Sequence, residues 1–260
     1  MYGQIIDLDN NTDKIAEQIK LLFKNGCEYV VIKNNNTFLE IDKIIPYYEA
    51  LNSKIGIVRQ VDTTKYTDSN QNNYWVDVKY DFQSNSIQPW KSNYHLKLHT
   101  DNTISTNENY ASLTELVCIE PCKYSGLTTL ISNDYIVEII KFIDENANDN
   151  LFSQIFDREI YHTSDTITHF KNKILRFDNH YIFSFNHTQA MKSDKNSDLD
   201  KEIINKLNLF LEEKIMNSNL MNEIKLNTGD ALIFNDELIM HGRRSVISNR
   251  HYKKCTINTI

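Results

Sequence analysis

The chain is expected to be mostly β with flanking helices, built on a double-stranded β-helix (jelly-roll, cupin-like) core. Three observations predict this. Short apolar runs of strand length recur at 113–119, 128–131, 174–177, 181–185, 223–226, 231–234 and 252–260. Turn-forming residues separate these runs, and only a few stretches carry helical periodicity. Many strands with a few helices outside them fit a double sheet buttressed by helices. The 260 residues suffice for one large domain, so a single domain over 1–260 is expected. Within it we expect an N-terminal helix-and-strand buttress over 1–60 and an active-site loop over 60–92. The jelly-roll core follows over 93–260, with lid insertions near 155–200.

Taken in order, residues 13–24 read as a helix. Ile15, Ile19, Leu22 and Phe23 share one face, Asn11 or Thr12 can cap its start, and Gly26 follows its end. Tyr29–Ile32 reads as a buried strand, and Phe38–Leu51 as a second helix entered or interrupted at Pro46. Residues 60–92 are polar and irregular but rich in aromatics: Tyr66, Tyr74, Trp75, Tyr80, Phe82 and Trp90. Those rings either pack the loop onto the core or line a pocket. Tyr94–Thr100 reads as a strand. Asp134–Asp144 is a helix with Ile136, Ile139, Ile140 and Ile143 on one face. Ile174–Phe177 and Tyr181–Phe185 form a hairpin around Asp178-Asn179. Residues 191–200 read as an exposed loop, and Asp200–Met216 as an amphipathic helix with Ile203, Leu207, Phe210 and Leu211 inward.

Composition narrows the function classes. The net charge is −7, from 28 Lys+Arg against 35 Asp+Glu, with no block of like charge, so nucleic acid is not an expected partner. No window reaches the roughly 18 apolar residues that a membrane helix needs. Met1–Asp7 has neither the basic start nor the apolar run of a signal peptide. Cys27, Cys118, Cys122 and Cys255 lack zinc or disulfide spacing and read as free thiols. A cytoplasmic protein acting on a small molecule is expected; the oligomeric state is not legible.

The chemistry-bearing stretch is Leu98-His99-Thr100-Asp101. In an extended strand residues i and i+2 face the same way, so His99 and Asp101 can grip one ion from one side. His241, in Met240-His241-Gly242-Arg243-Arg244, supplies a second imidazole. Two imidazoles and one carboxylate on one side leave open positions opposite, a set suited to non-haem Fe(II) with a co-substrate and O2. Arg250, nine residues after His241, opens the last strand, and its guanidinium can pair with a carboxylate in a restricted pocket. A zinc hydrolase is disfavoured, because no His-Glu-x-x-His helix is present.

These motifs resemble the Fe(II)- and 2-oxoglutarate-dependent dioxygenases of the taurine dioxygenase type, with a likeness to the catalytic part of the gamma-butyrobetaine hydroxylases. The matching segments are LHTDNT (98–103), SGLTTLIS (125–132), GDALIFNDELIMHGRRSV (229–246) and RHYKK (250–254). The resemblance implies that His99, Asp101 and His241 bind iron and that Arg250 pairs with the distal carboxylate of 2-oxoglutarate. It implies that Thr128 hydrogen-bonds the same co-substrate. Lys254 stands where the family often has a second arginine, and Ser125-Gly126 where Gly-Gly is usual. The implied reaction consumes 2-oxoglutarate and O2, releases succinate and CO2, and oxidises an unactivated C–H bond. Related halogenases replace the motif carboxylate with a small residue, so an intact Asp101 argues for hydroxylation, or for desaturation or ring closure.

Arg176, Arg244 and Lys254 are candidate substrate contacts, which favours an amino acid or related carboxylate. The aromatic loop motivates a trimethylammonium substrate as the alternative. A non-catalytic jelly-roll protein that binds metal or 2-oxoglutarate is the reading from a different class. His95 is expected to pack near the site and Arg243 or Arg244 to form a structural ion pair. Asp178 and Glu115 stay open, and His162, His169, His180 and His187 lack ligand spacing.

Overall fold

The structure, a computed structural model, describes residues 3–35, 39–60, 74–80, 92–104, 112–147 and 149–259. Strands β1 (Gly3–Asp7) and β2 (Tyr29–Lys33) flank helix α1 (Thr12–Lys24), and α2 (Ile44–Ile55) leads into β3 (Gly56–Val58). Next come β4 (Val76–Tyr80), β5 (Leu96–His99), β6 (Leu113–Glu120) and β7 (Thr128–Ser132), then α3 (Asn133–Ala147) and α4 (Leu151–Ile155). Two hairpins follow, β8 (Glu159–His162) with β9 (Phe170–Lys173), and β10 (Leu175–Asp178) with β11 (His180–Phe183). After α5 (His187–Lys192) and α6 (Asp198–Phe210), the chain closes with β12 (Asn222–Ile224), β13 (Ala231–Asn235), β14 (Ile239–Arg243) and β15 (Arg250–Thr259).

Among the described residues the larger sheet has seven strands in the order β1-β2-β13-β6-β15-β3, with β4 also on β15. The smaller has the order β12-β7-β14-β5. Strand alternation decides what each face meets. Val31, Leu116, Leu232, Phe234 and Tyr252 of the larger sheet share one cluster with Leu130 and Ile239 of the smaller, so the two sheets face each other. The opposite face of the larger sheet, with Val30, Ile32, Val117, Ile233 and Ile257, packs on Ile15, Ile19, Tyr48 and Leu51 of α1 and α2. Leu98, Ile131 and Met240, on the back of the smaller sheet, pack on Ile136 and Ile140 of α3 and on Ile203 and Leu207 of α6. This is the expected jelly roll with helices outside.

Several local expectations are corrected. The first 60 residues do not stand wholly outside the core: β2 pairs with β13 as an inner strand, because Val30, Val31 and Ile32 are apolar on both faces. The second helix begins at Ile44 after one tight turn, with Pro46 in its first turn where a missing N–H is tolerated, and runs to Ile55. Its expected start, Phe38, lies outside the described residues. Residues 60–92 contain β4, in which Asp77 bonds His251 and Lys253 of β15 at 2.5 and 2.7 Å. Trp75 and Tyr80 are buried, and Trp75 Nε1 donates to Glu49 at 3.2 Å, so these two rings serve packing. Tyr66, Phe82 and Trp90 lie outside the described residues. Residues 191–200 are no plain loop: α5 reaches Lys192, Asn196 is buried and bonds Tyr161 and Ala190, and Ser197 forms a capping box with Asp200 that starts α6. All four cysteines are free and buried. No helix of the described residues is long and apolar enough to cross a membrane.

Candidate metal centre

His241 and His99 face each other across the antiparallel pair β14–β5, with ring centroids 4.2 Å apart. The strand geometry expected for Asp101 is wrong. β5 ends at His99, and Asp101 opens a one-turn 3-10 helix that runs to Ile104. Thr100 diverts the chain. Its N–H donates to the Phe185 carbonyl at 2.9 Å, and its Oγ1 accepts the Phe185 N–H at 3.1 Å. The turn still delivers the carboxylate: Oδ1 lies 3.8 Å from His99 Nε2, and Oδ2 lies 3.6 Å from His241 Nε2. One donor atom from each of the three residues falls within 4.8 Å of the others.

Each of the three side chains is held in a form that could accept a cation. The His99 Nδ1–H donates to the Lys97 carbonyl at 2.8 Å, which leaves a lone pair on Nε2. Burial pushes the His99 pKa down, more than neighbouring Asp101 pulls it up. Burial, and then the adjacent His99, push His241 well down, so both rings favour the neutral form. At Asp101 burial opposes ionisation, but the adjacent Lys254 ammonium outweighs it and holds the carboxyl well below its usual range. Lys254 Nζ lies 2.5 Å from Asp101 Oδ2.

Sequence reasoning missed Asp236, a fully buried residue in the turn between β13 and β14. Both of its carboxylate oxygens accept the Asp101 N–H at 3.1 Å, and Oδ1 lies 3.6 Å from His241 Nδ1. The sequence signal was an acid five residues before the distal histidine, but its burial depends on how the turn folds back.

A second polar group lies further along the same strands. Thr128 on β7 stands two residues from Leu130, which is directly across from His241, a displacement of about 7 Å. Its Oγ1 is buried without a hydrogen-bond partner among the described residues. Arg250 is also buried, its guanidinium stacked 3.6 Å above the Tyr252 ring, and its Nε has no partner among the described residues. No carboxylate forms an ion pair with Arg250 among the described residues. Gly126 makes room for it: at φ +80°, an added Cβ would sit 3.1 Å from Cys122 Cβ and 3.4 Å from Arg250 Cδ.

The remaining candidates separate. Arg244 pairs with Glu223 at 2.6 Å and donates to the Met216 carbonyl at 2.7 Å, as a structural ion pair would. Arg243 is buried and donates to the carbonyls of Ser92 and Tyr94 at 2.7 and 2.8 Å, tying the lead-in of β5 to β14. Arg176 reaches Ser184 Oγ at 3.4 Å and has no carboxylate partner among the described residues. Lys254 touches Asp101 as above. His95 precedes β5 and pairs with Glu212 at 2.7 Å on the surface, away from the expected strand face. Asp178 closes the β10–β11 hairpin opposite His180. Glu115 does not face the space between the sheets: it bonds Asn52 of α2 and Cys255 on the helical side.

No protein-family model matches the sequence, and no curated protein does. Solved structures do match. The chain is similar to AAD-2 in complex with Mn(II) and N-oxalylglycine, with a TM-score of 0.68 and 14% identity over 100% of this chain and 95% of that one. It is similar to a taurine dioxygenase from Burkholderia xenovorans, with a TM-score of 0.62 and 11% identity over 100% and 88%. It is also similar to asparagine oxygenase in complex with Fe(II), 2S,3S-3-hydroxyasparagine and succinate, with a TM-score of 0.58 and 10% identity over 98% and 93%. With two facing sheets, outer helices and near-complete coverage in all three, the chain has the fold of these proteins.

Proposed function

We propose that the protein is an Fe(II)- and 2-oxoglutarate-dependent oxygenase that hydroxylates a small molecule, an amino acid or a related carboxylate. The observation that carries this is the convergence of His99, Asp101 and His241 donor atoms within 4.8 Å. The residues fit both groups. Two neutral imidazoles and an ionised carboxylate on one side of an ion suit Fe(II) with open positions. A buried guanidinium without a protein carboxylate is costly, and the distal carboxylate of 2-oxoglutarate would satisfy it, with Thr128 Oγ1 as a further donor.

Bound iron, with 2-oxoglutarate and O2, supplies the oxidising chemistry, yielding succinate, CO2 and a hydroxylated product. The chain's residues hold and orient. Lys97 fixes the His99 ring through its carbonyl, and Asp236 braces both Asp101 and His241. Arg250 and Thr128 hold the far end of the co-substrate. Asp101 would itself hold the iron, and a carboxylate among the residues that would hold it favours hydroxylation over halogenation. The three structural relatives include an oxygenase bound to hydroxyasparagine, and Arg176 offers a cation without a carboxylate partner; both support an amino acid substrate. The trimethylammonium alternative loses support, because Trp75 and Tyr80 are packed into the core.

The test is succinate release from 2-oxoglutarate under Fe(II), ascorbate and O2, with a panel of amino acids as substrates. Release stimulated by one of them is expected, and Asp101→Ala should abolish it. No release under any condition would leave a metal-binding or sensor protein instead. Unchanged turnover in Asp101→Ala would remove Asp101 from the ligand set.

A further inference from the structure

His162, at the end of β8, is fully enclosed, and neither Nδ1 nor Nε2 has a hydrogen-bond partner among the described residues. Such atoms are rare in folded proteins, and where they persist water or a ligand commonly satisfies them. His95, His169, His187 and His251 each bond another side chain, and His180 and His241 each leave one buried nitrogen unpartnered; among the described residues His162 leaves both. Burial pushes the His162 pKa down to about 4, so the ring is neutral. A neutral imidazole carries one N–H donor and one lone pair.

Ladder register places the ring. Across the β8–β9 pair His162 lies opposite Phe170, and Ile160 lies opposite Asn172. Opposed residues, and residues two apart, share a face, so these four side chains stand together. That face meets the apolar core at Ile160 and the turn that carries Asp101 at Asn172. Asn172 Nδ2 donates to the Thr103 carbonyl at 2.8 Å, and Thr103 belongs to the turn that Asp101 opens. Gln189 of α5 braces the same turn and the end of β8. Its Oε1 accepts the Thr103 hydroxyl at 2.5 Å, and its carbonyl accepts the Thr163 N–H at 3.2 Å. Asn172 and Gln189 thus tie both sides of the β8–β9 end to the Asp101 turn, while the His162 ring nitrogens bond nothing among the described residues.

We propose that His162 is a specificity-determining residue of the substrate pocket, taking an uncharged substrate group that both donates and accepts hydrogen bonds, a carboxamide or a hydroxyl. A carboxylate would only accept and an ammonium would only donate, and either would leave one ring nitrogen unused. The inference rests on the oxygenase reading above and deepens it by one feature of the substrate.

The experiment uses the full chain loaded with Mn(II) and N-oxalylglycine, so that nothing turns over. L-Asparagine, L-glutamine and L-serine are the probes, L-leucine and L-aspartate the controls, and affinity is measured by calorimetry. At least one probe should bind about tenfold or more tightly than both controls, as one well-placed buried hydrogen bond allows. His162→Phe should lose that preference without changing N-oxalylglycine affinity. His162→Gln, which keeps a donor and an acceptor, should retain most of it; a packing role alone predicts no such rescue. Equal preference in wild type and His162→Phe, tighter binding of a control, or no binding of any probe would overturn the assignment. If His162→Phe does not fold, the wild-type ranking and His162→Gln decide. A wild type that fails to bind N-oxalylglycine with Mn(II) overturns the oxygenase reading itself, a distinct result.

Discussion

Asp236→Asn isolates what a buried carboxylate contributes from behind the proposed metal ligands. Asp236 contacts two of the three donors: both oxygens accept the Asp101 N–H at 3.1 Å, and Oδ1 lies 3.6 Å from His241 Nδ1. A carboxylate there favours an N–H on His241 Nδ1 and so a lone pair on Nε2. The amide keeps the shape but loses the charge, and one of its ends becomes an NH2 group. That end must face either the Asp101 N–H, donor against donor, or the His241 ring, where it favours the tautomer that cannot bind a cation through Nε2. Loss of such an outer partner costs about 10–100-fold in metal affinity, or about 1.4–2.7 kcal/mol. The assay is anaerobic Fe(II) titration of wild type and variant, with metal-free thermal melting alongside to separate lost ligand orientation from lost fold. Wild-type affinity in Asp236→Asn would refute the claim that Asp236 organises the ligands.

Two further changes test the neighbouring parts. Gly126→Ala puts an L side chain at φ +80° with its Cβ 3.4 Å from Arg250 Cδ. It should cost about 1–2 kcal/mol of stability and weaken N-oxalylglycine binding severalfold while leaving metal affinity unchanged; denaturation and ligand titration together check this, and an unaltered N-oxalylglycine affinity would refute the contact. Glu115 is fully buried, and burial raises its pKa from 4.5 to about 7 against the opposing bonds from Asn52 and Cys255. A carboxyl raised in the folded state contributes stability fully below its unfolded pKa and loses it as pH climbs to the folded one. Stability should therefore fall by about 3 kcal/mol between pH 4.5 and 7 from this group. Glu115→Gln, neutral throughout, should lack that fall and be the more stable protein at pH 8; identical pH profiles for the two proteins would refute it.

The site was more legible than its surroundings, for a physical reason. His99, Asp101, His241 and Arg250 are chemically distinctive residues at motif spacing, and the structure brings the first three together. The route to Asp101 was not legible, because Thr100 turns the chain through bonds to Phe185, 85 residues away. β4 was hidden because its outward residues, Asp77 and Lys79, made the segment look like a polar loop, whereas Asp77 is paired with charges on β15. The β8–β9 hairpin was hidden similarly: Glu159, Lys171 and Lys173 spend their charge on local ion pairs that a sequence scan reads as exposed loop. Asp236 shows the limit, since nothing local tells a buried brace from a solvated turn acid.

Core and site are written in one alternation. On β7 the parity that buries Leu130 between the sheets also turns Thr128 inward. On β14 Ile239 and His241 share a parity, and on β15 Tyr252 shares one with Arg250 and Lys254. A one-residue slip in any of these strands would turn an apolar side chain out of the inter-sheet core onto the helical side and withdraw a polar one with it. The costly polar residues therefore need no separate means of staying inward: the burial of Leu130, Ile239 and Tyr252 fixes the register that aims them. The irregularity between His241 and Arg243, where β14 shifts against β5, falls just beyond the distal histidine. The ladder is thus regular at the His99–His241 pair and relaxes only past it, so the two imidazoles stay opposed while Arg243 is freed to bond the lead-in to β5.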